Sequence, residues 1–425
     1  MTSRIDIATR RSFLTRGLGV VGIAAGARAV VPDFLVRTAL AGDRSVSDQK
    51  ILVVLQLSGG HDGLSAIVPY GDDAYAKNRQ ASRIPESDVL KIDDYSGLHP
   101  NLTAFKNLLD AGHFAAVQAV GYPTPNQSHF TSMDIWHLAD NEARSNSTAK
   151  ESRFGWIGRY CDLACKDAPN PPMAISLGTG QTPRALNGRL SPGISFSQPQ
   201  SFRYLGDRGN KERAEAYGKM HETTPTGRSH ALDFVTRTAI DANAASSAIR
   251  DLAGKYKTAV TYPNGSLAAS LKTVAALVAG GLSTRVYYVF QGGYDTHFIQ
   301  KSRHDALMAE LGASVGAFQQ DLASQGDAPR VLTMTFSEFG RRVTENGSQG
   351  TDHGIAGPMF LVGPGVKPGL HGEPPSLEPD RLVAGRDLQH KIDFRGVYAA
   401  VLEKWLGCPS EPVLGGTFEP VDCIA

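Results

Sequence analysis

The chain has 425 residues, with 43 Lys and Arg against 42 Asp and Glu, and a formal net charge of +1. A balance this even, without a long run of either sign, argues against a nucleic-acid binder, which concentrates basic residues on one face. The length suits one large α/β domain or two smaller ones, and 41% apolar residues are enough to build a core.

Residues 1–41 read as an export signal. Arg10-Arg11-Ser12-Phe13-Leu14 fits the twin-arginine pattern, a weakly apolar stretch runs over residues 17–27, and Ala39-Leu40-Ala41 offers a small-residue cleavage site. The apolar stretch is too short to span a bilayer stably, so no membrane span is expected after cleavage. The partner this implies is the twin-arginine export machinery, and the destination is the periplasm or beyond. The alternative is a chance Arg pair before an apolar helix.

Beyond the signal, Ile51 to Leu57 (ILVVLQL) is an apolar run closed by Ser58-Gly59-Gly60, and it predicts the first central strand. Residues 115–120, 173–177, 285–290, 330–336 and 359–362 predict further strands. Helical patterns fall at 101–111, 131–140, 154–166, 229–257, 264–279, 299–324 and 394–406. Strands alternating with helices imply a mostly parallel sheet covered on both faces. Residues 141–152 read as a polar surface loop, 180–228 as a polar insertion or lid, and 363–386 as an extended Gly- and Pro-rich loop. Of four cysteines, Cys161 and Cys165 sit one helical turn apart, a poor geometry for a disulfide, and read as free thiols. Cys408 and Cys423 flank the C-terminal loop; paired and free states both stay open.

The chemistry-bearing residues follow strand ends, where open α/β sheets place their ligands. Gly59-Gly60-His61-Asp62-Gly63 closes the first strand, and glycine lets the backbone turn tightly there. The segment Pro125 to Phe130 (PNQSHF) precedes a helical pattern. Ser128 therefore falls at a helix N-terminus, as a plain N-cap or as a nucleophile beside an anion site, with His129 able to contact the same group. In GGYDTH, Asp295 and His297 are two residues apart, so an extended backbone points both side chains the same way. A carboxylate beside an imidazole suits a divalent metal; an Asp–His hydrogen bond is the bland alternative. Glu338 follows a strand in FSEFGRR and needs a partner if buried. Arg341 or Arg342 would serve in a structural ion pair, and a metal or a proton-transfer role is the functional reading. Asp352 and His353 follow in TDHG.

Taken together, SGGHDGLSAIVPY, PNQSHF…DIWH, GGYDTH, TFSEFGRR and GTDHGIAGPM resemble the exported bacterial proteins of the domain of unknown function 1501 family, from about residue 50 to the last helix. That family is related to the alkaline phosphatase and sulfatase superfamily. The resemblance implies an alkaline-phosphatase-like three-layer α/β sandwich with a mostly parallel central sheet, forming a single domain over 42–425. It also implies a metal site at the strand ends. Carried over residue by residue, Asp62 resembles the first-strand metal ligand and Ser128 the nucleophile. Asp295 and His297 resemble the pair of one metal site, and His353 the late histidine, with Asp352 beside it. Glu338 stands where the superfamily has an Asp of an Asp-His pair, and Phe339 stands where it has the His. The implied cofactor is a divalent ion, with zinc, calcium and manganese all open. The implied activity is metal-dependent hydrolysis of a small-molecule or glycan phosphate or sulfate ester. The rival expectation is an exported binding or assembly protein with a degenerate site. A metal-free serine esterase ranks third, since G-x-S-x-G is absent.

Overall fold

β-Branched and aromatic runs bounded by glycine form the strands, and alternation within them sorts side chains to two faces. The computed structural model describes residues 49–141, 154–164, 174–178, 180–191, 193–202, 212 and 245–425. The expected signal at 1–41 lies outside the described residues. So do 142–152 of the polar loop, 203–211 and 213–228 of the insertion, Cys165, and the first part of the helix expected from 229. The chain divides into two compact units. One comprises Ser47–Ala168, Pro172–Phe202 and Ile249–Ala425 and holds the sheet and the site; the other comprises Met1–Val46, Pro169–Pro171 and Arg203–Ala248 and is almost wholly outside the described residues.

In chain order the strands are β1 (Ile51–Leu57), β2 (Ile67–Val68), β3 (Leu90–Lys91), β4 (Gly97–Leu98), β5 (Phe114–Gly121), β6 (Ala174–Leu177), β7 (Ile194–Phe196), β8 (Val286–Gln291), β9 (Val331–Phe336), β10 (Gly357–Val362), β11 (Gly369–His371) and β12 (Ile392–Asp393). The main sheet runs β11-β5-β10-β9-β1-β8-β6-β7, with β12 also on β5; β2, β4 and β3 form a small separate sheet. Every pairing in the main sheet is parallel except those of β10, which runs against β5 and β9. The six expected strands are all present. Their mutual direction is not encoded in a short apolar run, so the reversal of β10 is new. β7 is also new: Ile194 and Phe196 alternate within the expected polar insertion and extend the sheet beside β6, with Phe196 buried.

Helices α1 (Thr103–Asp110), α2 (His129–Leu138), α3 (Trp156–Ala164), α4 (Ser266–Ala279), α5 (Gln300–Gln325) and α6 (Phe394–Ala400) cover the sheet. Leu52 and Val54 of β1 face one core with Trp136, Trp156 and Tyr398. Ile51, Val53 and Leu55 face the other with Phe105, Leu271 and Phe318. The result is a three-layer α/β sandwich, as expected. Among the described residues no helix is long and apolar enough to cross a membrane. Cys408 and Cys423 are buried free thiols, so the open choice there resolves to the free state, and Cys161 is buried in α3.

Candidate functional site

β8, β1 and β9 are adjacent and parallel, so the segments after Gln291, Leu57 and Phe336 leave the same edge of the sheet. β10 is antiparallel, which brings its preceding TDHG loop to that edge as well. β5 points the same way as β9 and delivers the N-terminus of α2 there. Five segments distant in sequence therefore meet at one place, and the motif residues come with them.

Close backbone packing locks the loops together. Gly59 has φ +122°, and a Cβ built on it would lie 2.3 Å from the Asp295 nitrogen. A Cβ on Gly350 would lie 2.2 Å from the His297 carbonyl carbon. Only glycine fits at either position. The guanidinium of Arg341, fully buried, ties the same segments. It donates to the carbonyls of Gly59, Gly60 (2.7 Å), Tyr294 (3.0 Å) and Thr351 (2.8 Å), and to Asp295 Oδ1 at 2.7 Å. A planar five-donor fork is the side chain suited to such a junction.

Three histidines and one aspartate converge. His353 Nε2 lies 3.2 Å from Asp295 Oδ1, and His297 Nε2 lies 3.0 Å from that same oxygen and 3.0 Å from His353 Nε2. His129 Nε2 lies 3.6 Å from Asp295 Oδ2. One ligand atom each from His129, Asp295 and His353 falls within 4.8 Å of the others. The i, i+2 spacing of Asp295 and His297 thus points both side chains to one spot, as an extended backbone requires.

The other ring nitrogen of each histidine meets an oxygen that accepts. His353 Nδ1 lies 2.8 Å from the Gln127 carbonyl, His129 Nδ1 2.8 Å from Glu338 Oε1, and His297 Nδ1 3.2 Å from Asp352 Oδ1. A carbonyl or carboxylate can only accept, so the hydrogen sits on Nδ1 and, in a neutral ring, the lone pair on Nε2. Burial lowers the pKa of His353, which favours its neutral ring. Its Nε2 lone pair then faces a carboxylate oxygen. Arg341 supplies positive charge to that same oxygen at 2.7 Å, and a second proton on one of the imidazoles or a divalent ion among the four groups would relieve the contact further.

The carboxylates are tuned to stay ionised. Burial works against ionisation of Asp295, but the hydrogen bond and charge of Arg341 outweigh it and hold its pKa at about 2. Asp352 is lowered chiefly by the Asn346 amide at 3.1 Å, with His297 and Arg342 helping. The hydrogen bond to Glu338 raises His129.

Several expected roles change here. Asp62 does not join the cluster. It is buried, with Oδ2 bonded to Arg79 (2.5 Å), Ser65 (2.7 Å) and Gln300, and Oδ1 to Arg79 (3.0 Å). Both oxygens are committed, so a metal would have to break a buried ion pair to use them. Glu338 pairs with neither arginine. Its Oε1 takes His129 and the Gly59 N–H at 2.9 Å, while Arg341 goes to Asp295 and Arg342 to Asp352 (3.0 Å). Asp352 likewise stands behind His297. Ser128 is exposed at the N-cap position of α2, and its hydroxyl makes no capping bond. His129, the first residue of that helix, turns into the cluster. Phe339 packs its ring 4.9 Å from His129 and 4.5 Å from His353, so hydrocarbon lies beside the cluster at the position where the resemblance already indicated a missing imidazole. Arg341 as the junction, the Gln127 carbonyl and Asn346 carried no signal in the sequence beyond their nearness to the motifs.

What fold and site define is an α/β sandwich with a histidine- and aspartate-rich cluster at the carboxyl edge of its sheet. The chain belongs to the family described as "Protein of unknown function (DUF1501)", which matches residues 49–415. No curated protein matches it in sequence. Similar solved structures include the PsFucS1 sulfatase from Pseudoalteromonas sp., 12% identical with a TM-score of 0.36 over 90% of this chain and 70% of that one. Another is the alkaline phosphatase from the Antarctic bacterium TAB5, 13% identical with a TM-score of 0.34 over 75% of this chain and 92% of that one. A third is the lipoteichoic acid synthase LtaP from Listeria monocytogenes, 9% identical with a TM-score of 0.36 over 76% and 68%. At these scores the likeness is one of general sheet architecture and says nothing about chemistry in this chain.

Proposed function

We propose that the protein is an exported, metal-dependent hydrolase of phosphate or sulfate esters. The observation that carries this reading is the convergence of three Nε2 atoms on Asp295 while each Nδ1 is held by an oxygen. Metal-binding histidines have this outer partner, which fixes tautomer and ring orientation. The donor separations of 3.0, 3.0 and 3.2 Å among His297, His353 and Asp295, and of 3.6 Å from His129 to Asp295, bracket the spacing expected around a bound ion. Bonds of about 2.0–2.1 Å in a tetrahedron put donors about 3.3–3.4 Å apart. Zinc suits three imidazoles and one carboxylate better than calcium, which prefers oxygen ligands alone.

His129, Asp295, His297 and His353 would hold the ion; Glu338, Asp352 and the Gln127 carbonyl would orient the rings. When bound, a divalent ion supplies Lewis acidity toward the ester oxygens. Ser128 Oγ forms the bond to phosphorus or sulfur as the bond to the alcohol oxygen breaks. The seryl proton leaves to water, the alcohol takes a proton from water, and a second water then cleaves the seryl ester. The N–H groups opening the ten-residue helix α2 favour the anionic group beside Ser128. Phe130 directly follows His129, and Phe298 and Ile299 are the two residues after His297; they are exposed by 85%, 48% and 59%. They give the alcohol portion of an ester an apolar surface.

Export rests on the twin-arginine pattern at Arg10-Arg11. The test is turnover of an aryl phosphate and an aryl sulfate by protein loaded with zinc, manganese or calcium. Metal-dependent hydrolysis abolished in Ser128→Ala is the expected result. Phe339 beside His129 and His353 favours one alternative, a non-catalytic binding or assembly protein, because a hydrocarbon ring packs where a further ligand or proton-transfer group would serve catalysis. Stoichiometric metal without turnover on either ester would decide for that alternative.

A further inference from the structure

The expected ligand Asp62 belongs instead to a buried polar chain that ends on the two loops carrying the cluster. Gln300, the first residue of the 26-residue helix α5, is its centre. Its Oε1 accepts from Thr296 Oγ1 at 2.9 Å and from Thr351 Oγ1 at 2.5 Å, and its Nε2 donates to Asp62 Oδ2. Thr296 lies between Asp295 and His297. Thr351 directly precedes Asp352 and His353, and its N–H donates to the Thr296 carbonyl at 3.1 Å. Arg79 completes the ring: it pairs with Asp62 and donates to the carbonyls of Val343 (2.6 Å) and Arg342 (2.8 Å). Gln300, Thr296, Thr351, Asp62 and Arg79 are each at most 1% exposed.

From this we infer that Gln300 is a positioning residue: without touching a ligand, it fixes the spacing between the Asp295–His297 loop and the Asp352–His353 loop.

Two arguments support it. A fully buried polar network contributes little net stability against a well-packed apolar replacement, whereas it does hold its members in one geometry. The second is backbone strain where the network enters α5. Ile299 sits at φ 45°, ψ 50°, a left-handed conformation that β-branched residues avoid. It is held there by its N–H on the Ser348 carbonyl (3.0 Å) and by the Gln300 N–H on the Gln349 carbonyl (2.9 Å). A strained residue persists only where its surroundings over-determine it, and here it turns Gln300 inward between the two loops.

The affinity part of the test rests on the metal site proposed above; the exchange part does not. Cobalt(II) is titrated into the full-length wild type, Gln300→Met and Thr351→Val, and its d–d absorption is recorded. Hydrogen exchange is measured on the same proteins without metal. Gln300→Met removes the polar atoms at similar length, and Thr351→Val removes one donor at nearly constant volume. The expected result for Gln300→Met is a loss of about tenfold or more in cobalt affinity, the scale of outer-shell effects, with an altered d–d spectrum. Thr351→Val moves the same way by less. In metal-free Gln300→Met and Thr351→Val, exchange accelerates at Thr351 and the neighbouring loop amides but not in β6. Wild-type affinity, spectrum and exchange in both variants would overturn the inference. A wild type that binds no cobalt would instead defeat the metal site. Exchange then decides: local acceleration upholds Gln300 as the link, and unchanged loops overturn it.

Discussion

Replacing Asp62 by Ala leaves the Arg79 guanidinium, 0% exposed, without its counter-ion. The carboxylate it loses is bound at 2.5 and 3.0 Å in fork geometry. Removing one partner of such a buried pair costs about 3–5 kcal/mol, because the remaining charge stays desolvated. Unfolding entropy of about 2.1 cal/mol/K per residue over a chain of 425 residues gives about 0.9 kcal/mol/K. The melting temperature should therefore fall by about 3–6 °C. Arg79→Met should cost a similar amount, and the double variant far less than the sum, since neither charge is then stranded. Thermal and denaturant unfolding of the four proteins measures this. Bound metal should remain at one equivalent in Asp62→Ala, with affinity lowered only through Gln300. Additive costs, singles below about 1 kcal/mol, or outright loss of metal with unchanged stability would refute the structural assignment of Asp62.

Acid should destabilise the fold through histidines buried in neutral form. Burial lowers His61 to about 4 and His137 to about 3, and holds His304 well below its ordinary value. The unfolded chain then binds more protons below pH 6.5, so stability is full above that pH and declines toward pH 4. Each histidine costs about 1–1.5 kcal/mol at pH 5.5. His61→Phe should flatten that decline by about one histidine's share, because neither ring nitrogen of His61 has a hydrogen-bond partner to lose; an unchanged slope in urea titrations across pH would contradict this. Asp352→Ala should weaken metal binding about 10–100-fold by freeing His297 Nδ1, measurable by competition with a chelator. Phe130→Ala and Phe298→Ala should raise KM for aryl esters several-fold with little change in kcat, and an equal fall in kcat would show that the rings do more than bind.

The strands were legible because a buried parallel strand is a nearly continuous apolar run. Ile51–Leu57, Val286–Gln291 and Val331–Phe336 are of this kind, each closed by Ser or Gly within three residues. The meeting of Asp295, His297 and His353 was legible as well, since all lie in Gly-rich loops at strand ends. Partner choice was not. Whether Arg341 turns to Glu338 or Asp295 depends on loop paths set by Gly59 and Gly350. The family resemblance implied a ligand role for Asp62, and nothing local announces that Arg79, beyond two short intervening helices, folds back onto it. His129 was assigned beside Ser128 because their positions are adjacent, yet the start of α2 leaves the serine exposed and turns the histidine toward Asp295.

X-ray absorption at the metal edge of the zinc-loaded, full-length protein tests the central claim most directly. The account predicts one tightly held ion with three imidazole nitrogens and one carboxylate oxygen at about 2.0–2.1 Å, and loss of that signal in Asp295→Ala and His353→Ala. Failure to retain zinc, an oxygen-only shell, or an unchanged spectrum in those variants would contradict it.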